Sequence, residues 1–340
     1  MFRIGVMGAG VVADFGHLPA IRSTPGLELA AIYDPLGNRA VILAEKYGTF
    51  GTTSQEAFFD QKLDAVVIAS PPAAHPANAV AAAKHGAIIL CEKPLASDEA
   101  LAEAMIREVR ALGSQIYTGF VYRFSPVSEQ IRTWVREGIV GEIRDLRLIY
   151  LWNLHGQYEA GADGWHESPR WRGRMVEGGP LVDCGVHQID LARWWLGSEV
   201  VDWSTAAAWV SDYDAPDHQY LHMHHANGAR TCVEMSFTYG HTAENPRSVF
   251  TYELIGTGGV IRLDRDGYVL EARHGQGITT APGASEKNFE GMYLALRETL
   301  ESPGSSRLPS AEDGLAATSI AEAAVRQVVQ HNTKRLQNVK

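Results

Sequence analysis

Phe2-Arg3-Ile4-Gly5-Val6-Met7-Gly8-Ala9-Gly10-Val11-Val12-Ala13 carries a short apolar run into a glycine-rich turn and on into helical spacing. The turn has the GxGxxA form of a dinucleotide fingerprint. Gly8 permits the tight turn, Gly10 lets the backbone approach a pyrophosphate, and Ala13 keeps the following helix close to the strand. Val11 and Val12, at the same junction, count with the cofactor-binding residues. The match is weak on its own, but it falls at the first strand-to-helix junction, and Asp34 ends the second expected strand about 20 residues on, as the fingerprint requires. Taken alone, Asp34 before Pro35 reads as a turn starter. In context its carboxylate suits both ribose hydroxyls of NAD and repels a 2′-phosphate, so NAD is expected ahead of NADP; Arg39 is the counter-signal.

Outward from this stretch, the runs FRIGVM, LELAAIY, LDAVVIAS, AIILCE and QIYTGF alternate with helical patterns up to about residue 120. That alternation predicts βαβ units and a parallel sheet, a Rossmann dinucleotide-binding domain over 1–121. A second domain is expected over 122–340, its last helix able to pack back on the first, and the pattern changes after about residue 140. EIRDLRLIYLWNL, HQYLHMHH, ARTCVEMSFTY, VFTYELIG and GVIRLD have period-two segments, which predict a large, mostly antiparallel sheet in a second α/β domain. Asn227-Gly228 and Asp266-Gly267 supply hairpin turns. PLVDCGVHQIDLARWWLG and AEDGLAATSIAEAAVRQVV read as helices, the second followed by a polar tail, HNTKRLQNVK.

With 340 residues the chain is longer than one core usually covers, which agrees with two domains. A net charge of −10 disfavours a nucleic-acid partner and leaves a small neutral or polar ligand. No apolar stretch reaches membrane-spanning length and no signal-peptide pattern opens the chain, so a cytoplasmic protein without a membrane partner is expected. Cys91, Cys184 and Cys232 are far apart without CxxC spacing, and read as buried small apolar side chains. His222 and His224 share a strand face, but no cysteine or carboxylate stands at supporting spacing, so no metal is expected. Gly256-Thr257-Gly258-Gly259 joins two strands and opens no helix, which makes it a turn and not a phosphate loop.

Glu92-Lys93-Pro94 follows the run AIILC, placing a lysine at the carboxyl edge of the parallel sheet, where open α/β sheets bind ligands. Gly178-Gly179-Pro180 leads into Asp183, His187 and Asp190, spaced to share one helix face. Cys184 points about 100° away from that face and is expected to pack. Together with Gly8, Gly10 and Ala13, these motifs resemble the Gfo/Idh/MocA family, named for glucose-fructose oxidoreductase, inositol dehydrogenase and a rhizopine catabolism protein. The resemblance spans nearly the whole chain and includes Arg123 in TGFVYRFSP and a GGxxxDxGxHxxD helix over Gly178 to Asp190. Where the family has a third glycine this chain has Pro180, tolerated in a first helical turn.

The resemblance implies an NAD-dependent oxidoreductase with Lys93, Asp183 and His187 as its catalytic set, all three also touching substrate. It implies that Ser70, Pro71, His75, Glu92, Lys93 and Arg172 approach the cofactor, and that Arg123, Trp152, His155, Trp165 and Trp171 approach a carbohydrate or cyclitol. The tryptophans have an equally good reading as core residues. It further implies a homodimer or homotetramer formed through the second domain's sheet. Removing a hydroxyl proton while hydride leaves carbon needs a base titrating near neutrality and a group to stabilise the alkoxide. His187 suits the first need with Asp183 orienting it, and Lys93 suits the second. Two alternatives share these residues: a lyase or hydrolase that recycles a tightly held NAD, and an NAD(P)-binding sensor without chemistry.

Overall fold

The structure, a computed structural model, describes all residues except 153–157, 162–163, 168–174, 176, 211–212, 238–247, 285–286 and 339–340, with backbone alone at 158–161, 164–167 and 333–338. It comprises two compact units. One is Met1–Phe124 with Lys287–Thr318; the other is Ser125–Glu286 with Ser319–Lys340.

In the first unit β1 (Phe2–Met7), β2 (Leu27–Tyr33), β3 (Phe50–Thr52), β4 (Ala65–Ile68), β5 (Ile88–Cys91) and β6 (Ile116–Thr118) form one sheet in the order β3-β2-β1-β4-β5-β6. Every neighbouring pair is parallel. This is the doubly wound order, and ligands of such sheets bind where successive strands depart in opposite directions, here between β1 and β4. All four residues of β4 are fully buried, as expected of a strand covered on both faces. Polar caps start the helices around it: Ser54 Oγ accepts from Ala57 N, and Asp98 Oδ1 from Leu101 N.

Lys287–Thr318 completes this unit from far along the chain. Asn288 caps the helix Phe289–Glu301 through Gly291 N and donates from Nδ2 to the Phe124 carbonyl. Thr118 N donates to the Pro309 carbonyl, and Leu95 N to Thr318 Oγ1. The last helix, Ala311–Asn338, begins in this unit and continues into the stretch read from sequence as a polar tail.

The second unit holds β7 (Ile143–Leu151), the hairpin β8 (Tyr158–Gly161) and β9 (Gly164–Glu167), then β10 (Val200–Ala208), β11 (His218–His225), β12 (Arg230–Ser236), β13 (Val249–Gly256), β14 (Gly259–Asp264), β15 (Val269–His274) and β16 (Gly277–Pro282). Eight of these form a sheet in the order β10-β11-β12-β7-β13-β14-β15-β16. Only β12 and β7 run parallel. The alternation shows in β11, where Gln219, Leu221, Met223 and His225 are buried while Tyr220, His222 and His224 are exposed.

The first expected hairpin turn is present, with Gly228 at φ +85° and Asn227 Oδ1 accepting from Ala229 N. In the second, Asp264 Oδ1 accepts from Gly267 N, but the left-handed residue is Tyr268, at φ +53°. Gly256 pairs with Gly259 across a tight turn, so the second glycine-rich stretch joins two strands. The helix Val186–Leu196 ends on Gly197 at φ +57°, a left-handed stop that glycine adopts without steric penalty. A wider, π-type turn over Leu181–Gly185 leads into it. No helix among the described residues is long and apolar enough to cross a membrane.

Candidate active site

The fingerprint loop is built at the carboxyl ends of β1 and β2. Gly8 N donates to the Tyr33 carbonyl at 2.8 Å, and Gly8 sits at φ +109°. A Cβ there would lie 2.6 Å from the Ala69 carbonyl and Ser70 nitrogen, so only glycine lets this turn and the β4 loop meet. A Cβ on Gly10 would meet nothing within 4 Å, leaving the space a pyrophosphate needs. Val11 is half exposed beside it and Val12 less so, while Ala13 is fully buried against the sheet.

Asp34 is tied into the same loop. Its Oδ2 accepts from Ala9 N and its Oδ1 from Leu36 N, both at 2.9 Å. Each carboxylate oxygen can accept more than one hydrogen bond, so capacity for ribose hydroxyls remains. Arg39 lies exposed at the start of the helix Arg39–Tyr47. An open Gly10, a glycine-only contact at Gly8 and an anchored carboxylate fit a dinucleotide without a 2′-phosphate.

The Glu92-Lys93-Pro94 segment leaves β5 on the same edge, with a cis peptide between Lys93 and Pro94. Lys93 is partly buried. Glu92 is buried; its Oε1 accepts from His17 Nε2 at 3.0 Å and its Oε2 from Lys93 N at 3.2 Å. Burial alone would raise its pKa, but the His17 hydrogen bond, helped by the charges of His17, Lys93 and Lys287, outweighs burial and holds it below the usual value. His75 is 1% exposed and its two ring nitrogens face the carbonyls of Ser70 and of Pro94 and Leu95. It therefore sits packed between the Ser70-Pro71 loop and the turn that follows Lys93, and burial lowers its pKa. Ser70 Oγ accepts from Asn78 Nδ2, and Pro71 is exposed.

Arg123, expected near substrate, pairs with Asp313 at 3.0 Å, with side-chain exposures of 10% and 23%. Trp152 stacks on Tyr150 at 5.1 Å and meets the edge of Phe237, in an aromatic cluster that extends to Phe250. Trp152 is half-buried there, and the guanidinium of Arg265 lies over the Phe250 ring.

In the second unit Asp183 falls within the wide turn and His187 in the first turn of the helix Val186–Leu196, with His187 and Asp190 buried. Widened turns of this kind recur at functional sites. The Cys184 thiol donates to Asp183 Oδ2 at 3.7 Å, so Cys184 contacts the carboxylate it was expected to turn away from. The regular-helix angle of about 100° does not hold in a wider turn. His155, Trp171 and Arg172 lie outside the described residues, and only the backbone of Trp165 is described. Strand pairing sets Cys232 opposite His222, but no group of three or more potential metal ligands occurs among the described residues.

Three partners were not legible in the sequence. His17 carries no local mark of its contact with Glu92, Tyr293 reaches His17 across 276 positions, and Asp313 meets Arg123 from the last helix.

Comparison with known proteins agrees with this architecture. Residues 2–120 match the GFO/IDH/MocA oxidoreductase family described by its NAD-binding Rossmann fold, and residues 128–262 match the GFO/IDH/MocA C-terminal domain. The D-glucoside 3-dehydrogenase of Escherichia coli (strain K12) is 32% identical over 58% of this chain, which spans 55% of that protein. The inositol 2-dehydrogenase of Rhizobium meliloti (strain 1021) is 28% identical over 96% of this chain and 97% of its own length. A crystal structure of an oxidoreductase from Agrobacterium radiobacter, in complex with NAD+, L-tartaric acid and magnesium, shares the fold with a TM-score of 0.79 at 22% identity, covering 96% of each chain. Matched through both its parts and over most of its length, the chain belongs to the GFO/IDH/MocA family of NAD-binding oxidoreductases.

Proposed function

We propose that the protein oxidises a secondary ring hydroxyl of a sugar, glycoside or cyclitol to a ketone, or catalyses the reverse, with NAD as the hydride carrier. The observation that carries this is the common edge of the parallel sheet: the Gly8–Gly10 loop, Asp34 and the Glu92-Lys93 segment all leave it together, linked by the Ala9, His75 and Ser70 contacts. A relative named inositol 2-dehydrogenase aligns over almost the whole chain, which supports the substrate class.

When bound, NAD supplies a hydride acceptor. Lys93 donates a hydrogen bond to the reacting oxygen and stabilises alkoxide character as the hydroxyl proton leaves. His187, an imidazole of the kind that titrates near 6.5 when unperturbed, takes that proton, and Asp183 orients the imidazole. The Cys184 thiol limits the positions open to the Asp183 carboxylate. We further infer assembly into a dimer or tetramer through the exposed face of the eight-stranded sheet.

The test follows NADH absorbance with a panel of inositols, free sugars, glycosides and anhydrosugars, while a separate assay follows substrate loss. NADH formation with one group establishes the dehydrogenase. Substrate loss without net NADH favours the lyase or hydrolase that recycles its cofactor. Lys93→Ala and His187→Ala should each lower turnover by roughly a hundredfold or more with NADH binding retained, and wild-type turnover in either removes that residue from the chemistry.

A further inference from the structure

Beside Lys93, three side chains that the proposed chemistry leaves without a role form a buried chain. Glu92 is ionised and can only accept, so His17 Nε2 must carry the proton in their 3.0 Å hydrogen bond. His17 Nδ1 in turn lies 2.8 Å from the Tyr293 hydroxyl, within hydrogen-bond distance. Burial and the Glu92 charge raise the Tyr293 pKa well above its usual value, so this hydroxyl keeps its proton. The contacts form one continuous chain: the Tyr293 hydroxyl on His17 Nδ1, His17 Nε2–H to Glu92 Oε1, with Lys93 N–H closing on Oε2.

Packing leaves these groups little freedom. His17 and Tyr293 are fully buried, and Phe289 meets the His17 ring edge-on at 5.1 Å. Gly119 lies so close that a Cβ there would be 3.1 Å from Glu92 Oε1. The other titratable groups that sense the Glu92 charge are Lys93 and Cys91 on its own segment, Lys287 before the helix Phe289–Glu301, and His75. A buried carboxylate without partners would take up a proton, so a set of partners this complete maintains a charge at this point.

We propose that His17 and Tyr293 are positioning residues that hold Glu92 as a fixed carboxylate beside Lys93, and that this carboxylate keeps the Lys93 amine a charged hydrogen-bond donor rather than a base. The assignment rests on the reading of Lys93 given above, but its test needs no turnover. Trace acetylation of the full-length protein by acetic anhydride, carried out between about pH 6 and 11 and read by mass spectrometry on the Lys93 peptide, reports the protonation of that amine directly. Glu92→Gln should lower the Lys93 midpoint by about one pH unit. His17→Leu should lower it in the same direction, and His17→Gln, whose amide can still donate to Glu92, should restore it part of the way. Tyr293→Phe removes a single oxygen and should give a smaller fall.

An unchanged midpoint in folded Glu92→Gln overturns the role of the carboxylate. A fall there with none in His17→Leu or Tyr293→Phe overturns the role of the two positioning residues. Should the Glu92 and His17 variants fail to fold, Tyr293→Phe decides alone, in favour if the midpoint falls and against if it does not. Wild-type turnover in Lys93→Ala would sink the catalytic reading while leaving the labelling result intact, so the two failures are distinguishable.

Discussion

Gly8 and Gly10 stand two residues apart under opposite constraints. Gly8 needs a left-handed backbone and has peptide atoms 2.6 Å from where a Cβ would go, whereas Gly10 faces open space. Gly8→Ala should therefore destabilise the fold by about 2 kcal/mol or more, visible in thermal unfolding without any ligand. Gly10→Ala should unfold like the wild type yet weaken NADH binding, read by fluorescence titration; equal loss of stability in both variants would sink the distinction. Asp34 offers a second test at this scale. Asp34→Ala should raise the NADH dissociation constant about tenfold or more, through about 1–3 kcal/mol of lost charged hydrogen bonds, while narrowing the preference over NADPH. These residues were legible because their constraints are local to a strand, a turn and a helix start. Tyr293 was not, since nothing in its own segment encodes a partner 276 positions away.

Among whole elements, legibility followed burial. β4 and β11 announced themselves by a continuous apolar run and by strict alternation, each a direct imprint of what the strand faces. β3, with three residues, and β16, exposed or half-exposed throughout at the sheet edge, bury too little to leave such an imprint and were missed. β10 was missed for a related reason, because its half-buried positions include threonine and alanine, which give weak contrast. The last helix starts on a local capping box, Ser310 Oγ accepting from Asp313 N and Asp313 Oδ2 accepting from Ser310 N, and Arg123 pairs with the same Asp313. With side chains this buried, Arg123→Ala should cost about 2 kcal/mol in denaturant unfolding, and the double variant with Asp313→Ala should cost less than the sum of the single ones. Simple additivity would show that the pair contributes no coupling to stability.

Across the whole molecule, acid should act through two buried histidines, one in each unit. Burial lowers the pKa of both His75 and His225. Below about pH 6.5 the unfolded chain takes up protons that the folded histidines refuse, so stability falls as pH drops, by about 1.4 kcal/mol per pH unit for each histidine until its folded pKa is reached. Glu92, with a lowered folded pKa, adds a further loss only below about pH 4.3, as the unfolded carboxylate protonates first. Chemical denaturation at a series of pH values should show the first decline in the wild type and a flatter profile in a His75→Gln, His225→Gln double variant. A wild-type profile without decline between about pH 6.5 and 5 would refute the account.

The order in which the chain leaves the ribosome meets a constraint here. The Rossmann unit spans Met1–Phe124 but takes Tyr293, Asn288 and Asp313 from the returning segment Lys287–Thr318. During synthesis its first 124 residues emerge long before those partners exist, with the His17 and Glu92 pocket still unclosed. Ser125–Glu286 of the second unit is in effect an insertion within the first, and the cofactor domain can reach its native state only after Lys287–Thr318 has been made.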